Sequence, residues 1–230
     1  MENPVLAYLL RRIEDSPIEA APYPHIHACS IFPEDYYLQI QAHLPDVSFF
    51  SPAQIDYPKR FHFQLQNNAT LMQLPFAQCA FWLDLARTLE SGQLLRVLLE
   101  KFHETLKERF EKGLSWRSLK INAHLVRDQS DYSIGPHTDH PKKLLSVLFY
   151  LPPSDAQKHL GTSLYVPKEK GFRCAGSGHH RFEDFDKVRT APFLPNSAFA
   201  FPKSDISFHG VEPVGTLERE RTLLNYIVSE

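Results

Sequence analysis

The hydrophobic pattern of this chain changes its period once, near Trp116, and that change constrains the fold more than any other feature. Before it, apolar residues fall at helical spacing. Val5, Leu6, Leu9, Leu10 and Ile13 predict a helix from Pro4 to about Arg12, and Pro33-Glu34-Asp35 opens a second one through His43, with proline and two acids in its first turn. Phe76 to Leu89 and Gln93 to Phe110 repeat the pattern, with Gly92 and Gly113 as breaks. Between these helices, Phe61, Phe63 and Leu65 alternate with polar residues and predict a strand. After Trp116 the period is two. Leu119, Ile121, Ala123 and Leu125 alternate with polar residues; Leu144 to Leu151 is a continuous apolar run; Thr162 to Val166, Ala198 to Phe201 and Thr222 to Val228 are further short strands.

Short strands after a helical preface predict an α+β chain, a β-barrel or sandwich backed by N-terminal helices. Eighteen prolines against nine glycines fit many short elements joined by fixed-φ turns better than a helical bundle. No repeat or linker-like stretch divides the chain, so residues 1–230 are expected to form one domain, with 1–115 as helical support and 116–230 as the β core. The segment 167–195, rich in glycine, histidine and charge, is the longest irregular insertion and a candidate lid.

A formal net charge of -2 gives no large field of one sign, so a nucleic-acid partner is not indicated. The N-terminal residues lack the pattern of a signal peptide, and no apolar run is long enough to span a bilayer, so no membrane association and a cytoplasmic setting are the expectations. Cys29, Cys79 and Cys174 are odd in number and form no CxxC pair, which predicts reduced thiols, two of them in the core, rather than disulfides or a zinc site. Oligomeric state has no signature in the sequence.

The chemistry concentrates in His137-Thr138-Asp139, followed by His209 and, twelve residues later, by Arg221. In an extended segment residues i and i+2 point to one side, so His137 and Asp139 can offer an imidazole and a carboxylate to a shared ion. A second imidazole, from His209 on a distant strand, would complete a face that leaves coordination positions open, which suits Fe(II) with a chelating cosubstrate. An HxD tripeptide alone carries little weight; its setting carries more.

YSIGPHTD at 132–139 leads into an apolar strand ending FYLP at 149–152, then GTSLYVP at 161–167, AFAFP at 198–202, FHGVEPV at 208–214 and RERTLLN at 219–225. This order and spacing resembles the 2-oxoglutarate- and Fe(II)-dependent oxygenase superfamily, closest to its prolyl-hydroxylase-like branch, over roughly the second half of the chain. The resemblance implies a double-stranded β-helix core, jelly-roll or cupin-like in form. It implies His137, Asp139 and His209 as iron ligands and Arg221 as the partner of the far carboxylate of 2-oxoglutarate, a task suited to a planar fork of donors. Tyr150 matches a tyrosine that shares this carboxylate, and Asn225 matches a polar position lining the cosubstrate pocket. Oxygen is the further cosubstrate implied, and ascorbate the supporting reductant. Because relatives that halogenate have a small residue in place of the carboxylate, Asp139 favours hydroxylation.

Two positions depart from the pattern. Gly161-Thr162 stands where many relatives have two glycines, with an effect expected on packing rather than chemistry. Arg127 stands where the prolyl-hydroxylase branch often has tyrosine. If Leu125, Ala123 and Ile121 line the barrel interior, Arg127 shares their parity and faces the iron side, where a cosubstrate or substrate carboxylate could pair with it. The competing expectation is a strand-end salt bridge with Asp128 or Asp131.

The remaining candidates have plainer readings. His140 faces away from Asp139 in an extended chain and suits a rim position. His179 and His180 are expected as solvated insertion residues, with a lid role near substrate as their functional alternative. Lys59-Arg60 and Lys142-Lys143 read as surface charge, though with Arg173 and Arg181 they could form a basic mouth. Tyr57, Phe61 and Trp116 could wall a pocket, but core packing is the simpler expectation. His25, His27, His43, His62, His103, His124 and His159 show no usable partner spacing.

The substrate expected is a small amino-acid-like or carboxylate-bearing molecule. A peptide or protein side chain stays open, as does a non-catalytic metal-binding β-barrel acting as a ligand or partner module; zinc-assisted hydrolysis at the same ligands would not need Arg221.

Overall fold

A computed structural model describes residues 3–53, 58–176 and 178–230. The first helix, α1 (Pro4–Asp15), begins where the Asn3 side chain accepts from the Val5 and Leu6 amides and Pro4 supplies a preset φ; its stripe of Leu6, Leu9 and Ile13 is buried. Strand β1 (Ile26–Cys29) precedes α2 (Glu34–Ala42), and the short β2 (Ser51–Pro52) pairs with β3 (Arg60–Gln64). Then follow α3 (Asn68–Leu71), α4 (Phe76–Leu89), α5 (Gly92–Lys101) and α6 (His103–Glu111). The helix expected over Gln93–Phe110 is therefore two, broken where Phe102 takes a non-helical φ of -105° and buries its ring.

The second half supplies β4 (Lys120–Asp128), β5 (Ile134–His137), β6 (Lys143–Tyr150), β7 (Ser163–Pro167), β8 (Phe185–Thr190), β9 (Ser197–Pro202), β10 (His209–Val211) and β11 (Arg221–Ser229). Two antiparallel sheets result, one in the order β1-β9-β6-β11-β4-β3-β2 and one in the order β5-β10-β7-β8. The 167–195 insertion is thus partly regular, since β8 lies within it. Strands β1, β5, β8 and β10 had no apolar run long enough to announce them.

The strands β4, β6, β9 and β11 of the larger sheet divide their side chains between two cores. Ala123, Leu125, Leu145, Val147, Phe149, Leu224 and Tyr226 pack against the helices, whereas Val126, Tyr150, Phe199, Phe201 and Leu223 pack with Leu164 of the smaller sheet. Burying a side chain of this size contributes about 1.5–3 kcal/mol, so the alternation fixes the register firmly. Tyr37 of α2 donates to the Pro152 carbonyl, and Trp82 of α4 donates to the carbonyl of His43, tying the helical layer to itself and to the sheet. Among the described residues no helix is long and apolar enough to cross a membrane.

Gly161 marks the tightest approach between the end of the 155–160 turn and the 191–193 segment. A Cβ there would lie 1.6 Å from the Ala191 carbonyl oxygen, so only a backbone shift could admit it. Gly161→Ala is expected to cost about 1–3 kcal/mol and to lower Tm by roughly 2–12 °C in scanning calorimetry. An unchanged Tm would mean that this contact is not held.

Candidate metal centre

Strands β5 and β10 pair antiparallel with His137 directly opposite His209, and Asp139 follows two residues beyond the end of β5. The cross-strand register therefore delivers two imidazoles to one place, with ring centroids 4.3 Å apart. A donor atom from each of His137, Asp139 and His209 lies within 4.8 Å of the others, the one such cluster among the described residues.

Local hydrogen bonds fix how these ligands point. His137 Nδ1 faces the Gly135 carbonyl at 3.0 Å and His209 Nδ1 the Ser207 carbonyl at 2.9 Å. Each Nδ1 therefore carries the proton and each Nε2 keeps a lone pair for a metal. Burial lowers the pKa of both imidazoles, and for His137 the neighbouring His209 lowers it further, so both are neutral at pH 7. Burial by itself would raise the Asp139 carboxyl, but Lys143 and the two imidazoles outweigh it and hold it below the usual range. Lys143 Nζ donates to Asp139 Oδ1 at 2.6 Å and Ser146 Oγ to Oδ2 at 2.8 Å.

All three ligands line a cavity with an empty volume of about 530 Å³ including its open mouth. Its wall also holds Val126, Leu148, Phe201 and Leu223, together with Arg60, Lys143, Thr162, Arg221 and Asn225. Arg221 is 1% exposed and opens β11. Its Nε donates to the Leu160 carbonyl at 2.5 Å, its Nη1 to Asp128 Oδ2 at 2.7 Å, and its guanidinium lies over the Phe193 ring. Asp128 is fully buried and is gripped from the other side by Arg60, through Nε at 2.6 Å and Nη2 at 2.9 Å. Two guanidiniums thus share one carboxylate.

Tyr150 sits behind the wall rather than on it. Its hydroxyl donates to Thr162 Oγ1 at 2.9 Å and accepts from the Thr162 amide, so Thr162, expected to matter only for packing, is the residue of this pair that meets the cavity. Burial raises the Tyr150 pKa, opposed by Arg221. Asn225 does line the cavity.

Arg127 corrects an expectation. The odd-numbered residues of β4 face the helices, not the barrel interior, and Arg127 goes with them: it donates to the Pro45 carbonyl at 2.6 Å and to Glu220 at 3.1 Å and lies over Phe50. It forms neither the metal-side contact nor a bridge to Asp128 or Asp131. The even-numbered Asp128 is the β4 residue that reaches Arg221. Phe61 shares the outward parity and packs with the helical core, Trp116 is 63% exposed, and Tyr57 lies outside the described residues.

Two of the residues read as surface charge, Arg60 and Lys143, reach the cavity. The others do not converge: Lys59 pairs with Asp131 and Arg181 with Glu183. His140 is an exposed rim residue. The insertion makes contacts beside the candidate metal cluster. Thr138 Oγ1 donates to the Cys174 carbonyl, the His180 amide donates to Pro136, and the His179 ring packs on His137 with centroids 4.6 Å apart. Gly176 lets it come this close, with a φ of +108° and the Asp139 carbonyl oxygen 2.1 Å from where a Cβ would lie. His180 packs among Phe172, Phe185 and Phe208 instead of facing solvent. His62 and His124, which gave no signal in the sequence, meet across β3 and β4 with ring centroids 4.5 Å apart and planes tilted by 48°.

No family model and no curated protein matches the chain. Solved structures do. An oxidoreductase of the 2OG-Fe(II) oxygenase family from Burkholderia pseudomallei superposes with a TM-score of 0.52 at 15% identity, over 99% of this chain and 91% of its own. A prolyl-4-hydroxylase from Pseudomonas putida gives 0.50 at 14%, over 96% and 98%. The non-haem, α-ketoglutarate-dependent carbocyclase SnoK of nogalamycin biosynthesis gives 0.53 at 11%, over 100% and 87%. The chain therefore has their fold, a double-stranded β-helix core backed by helices, as the sequence led one to expect.

Removing the carboxylate shared by Arg60 and Arg221 would leave two buried guanidiniums facing each other. Asp128→Ala is expected to destabilise the fold by about 3–5 kcal/mol, measured by urea denaturation. A loss below about 1 kcal/mol, the range of an exposed ion pair, would show that the site is open to water.

Proposed function

We propose that the chain is an Fe(II)- and 2-oxoglutarate-dependent dioxygenase that hydroxylates an unactivated C–H bond of a small amino-acid-like or carboxylate-bearing molecule. One arrangement carries the reading: a cluster of two histidines and one carboxylate in a cavity that a buried arginine also lines.

The residues fit both groups. Two imidazoles with Nε2 left free and an ionised carboxylate make a donor face suited to ferrous iron, with positions open for a chelating cosubstrate and oxygen. Zinc-assisted hydrolysis could use the same ligands but has no use for the arginine. Nη2 of Arg221 donates to no described residue, so a carboxylate is accommodated there. Once bound, iron and 2-oxoglutarate supply the oxidising chemistry, in which decarboxylation to succinate is coupled to hydroxylation.

The protein's part is placement and exclusion. His137, Asp139 and His209 would hold the metal, with Lys143 and Ser146 keeping Asp139 oriented and ionised beforehand. Arg221 would fix the cosubstrate by its far carboxylate, with Thr162 and Tyr150 beside it. Val126, Leu148, Phe201 and Leu223 exclude water from the reacting centre. The free cysteines, of which Cys174 is buried and Cys29 exposed, suit a reducing compartment such as the cytoplasm. A peptide or protein side chain is the second reading of the substrate, favoured by the likeness to a prolyl-4-hydroxylase.

Mixing the protein with Fe(II) and 2-oxoglutarate under anaerobic conditions is expected to produce the visible charge-transfer band of the chelate. Arg221→Ala should weaken 2-oxoglutarate binding, read from that band, by about 10- to 150-fold, the range for losing a hydrogen bond to a charged group. His137→Ala should abolish the band. Folded wild-type protein that gives no band at saturating concentrations would sink the proposal.

A further inference from the structure

We infer that Lys143 is a positioning residue acting through Asp139: its ammonium, fixed on that carboxylate, biases the bound iron toward the ferrous state. This rests on the iron reading above and concerns the charge of one side chain beside one ligand.

The local chain explains how Lys143 reaches this place. Asp139 and Lys143 flank a tight turn, in which the Lys143 amide donates to the His140 carbonyl at 2.9 Å and the Lys142 amide to His140 Nδ1 at 3.2 Å. Arg109 of α6 clamps the turn, donating from Nη1 to the Lys143 carbonyl at 2.6 Å and from Nη2 to the Pro141 carbonyl at 3.0 Å. The pairing of β6 with β11 then slips by one residue. Leu145 stands opposite Val228 and Lys143 opposite Ser229, so Leu144 is extra, and both leucines are buried against the helices. In a regular strand residues 143 and 146 face opposite sides. The bulge turns Lys143 inward, so that it and Ser146 meet the same carboxylate.

The two donors are unlike, and that decides the consequence. Ser146 Oγ gives Asp139 Oδ2 a neutral hydrogen bond at 2.8 Å, whereas Lys143 Nζ gives Oδ1 a charged one at 2.6 Å. Among the described residues Nζ has no second acceptor, so its charge bears on this carboxylate. A cation there draws electron density from the ligand oxygen. It also repels a trivalent ion more than a divalent one, because repulsion scales with the product of the charges. The ferrous form is thereby favoured, and ferrous iron is the form that the proposed reaction uses. The side chain of Asp139 is 6% exposed and that of Lys143 27%, so water screens the pair only in part. Because the effect is the difference between a charge present and absent at one position, the other cations of the cavity do not enter it. Ser146 supplies the internal control.

The test is an anaerobic potentiometric titration of the iron-loaded protein, followed by the EPR signal of high-spin ferric ion. Dithionite supplies the single electron that converts ferric to ferrous iron, and ferricyanide withdraws it. Lys143→Gln, which keeps a donor and removes the charge, is expected to lower the ferrous-over-ferric preference about 10-fold or more, a fall of about 59 mV for a one-electron couple. Lys143→Arg should hold the potential near that of the wild type, and Ser146→Ala should move it less than half as far as Lys143→Gln. An unchanged or raised potential in Lys143→Gln, an equal shift in Ser146→Ala, or an equal shift in Lys143→Arg would overturn the inference. So would loss of iron binding in folded Lys143→Gln and Lys143→Met alike, which would make Lys143 an anchor of Asp139 and no more. Each of these outcomes leaves the wild-type charge-transfer band, and with it the cofactor reading, intact. A missing band in folded wild-type protein would instead overturn the reading on which the inference rests.

Discussion

The buried carboxylate of Asp128, gripped by Arg60 and Arg221, is the contact on which the cavity depends. It joins three neighbouring strands of the larger sheet, and each partner comes from a different part of the chain. Ions buried this deeply are tolerated only when paired, because removing either charge from water costs several kcal/mol. Two guanidiniums from different strands meet at one carboxylate, and each stays in place because the other helps to hold that carboxylate ionised.

Around this contact the two sheets divide the work. The larger sheet turns one face to the helices and the other to the cavity, so its strands supply Ser146, Val126, Arg221 and Asn225 while their outward neighbours pack against α1, α2, α4 and α5. The smaller sheet supplies the two histidines of the candidate metal cluster, through the direct opposition of His137 and His209. The 167–195 insertion lies beside His137, hydrogen-bonded at Thr138 and to the Pro136 carbonyl.

Much of this was legible beforehand. The helices α1, α2 and α4 showed themselves by spacing and caps, and β4, β6, β9 and β11 by alternation or continuous apolar runs, because local burial patterns record which face of an element meets a core. Strands β5, β8 and β10 were not legible: they are short, and β8 carries Asp186, Lys187 and Arg189 on an edge facing solvent. The insertion looked irregular for the same reason, since its contacts are backbone hydrogen bonds and ring stacking that leave no periodic trace. His62 and His124 had no partner spacing because they belong to strands joined only by the sheet.

The sequence by itself determined the fold class and named three residues, His137, Asp139 and His209, that the fold brings together. Period two and the i, i+2 geometry of an extended chain are local rules, and the order of strand motifs carried His209 and Arg221 with them. Tertiary structure alone decided which charges meet. Parity could not say which face of β4 was interior, and a choice of one residue exchanges Arg127 for Asp128. Nor could spacing reveal that Arg60 and Arg221, 68 and 93 residues from Asp128, would share its carboxylate, or that Lys143 would hold Asp139. A hydrophobic face is written into its own segment, whereas the partner of a buried charge is fixed only when distant strands have taken their register.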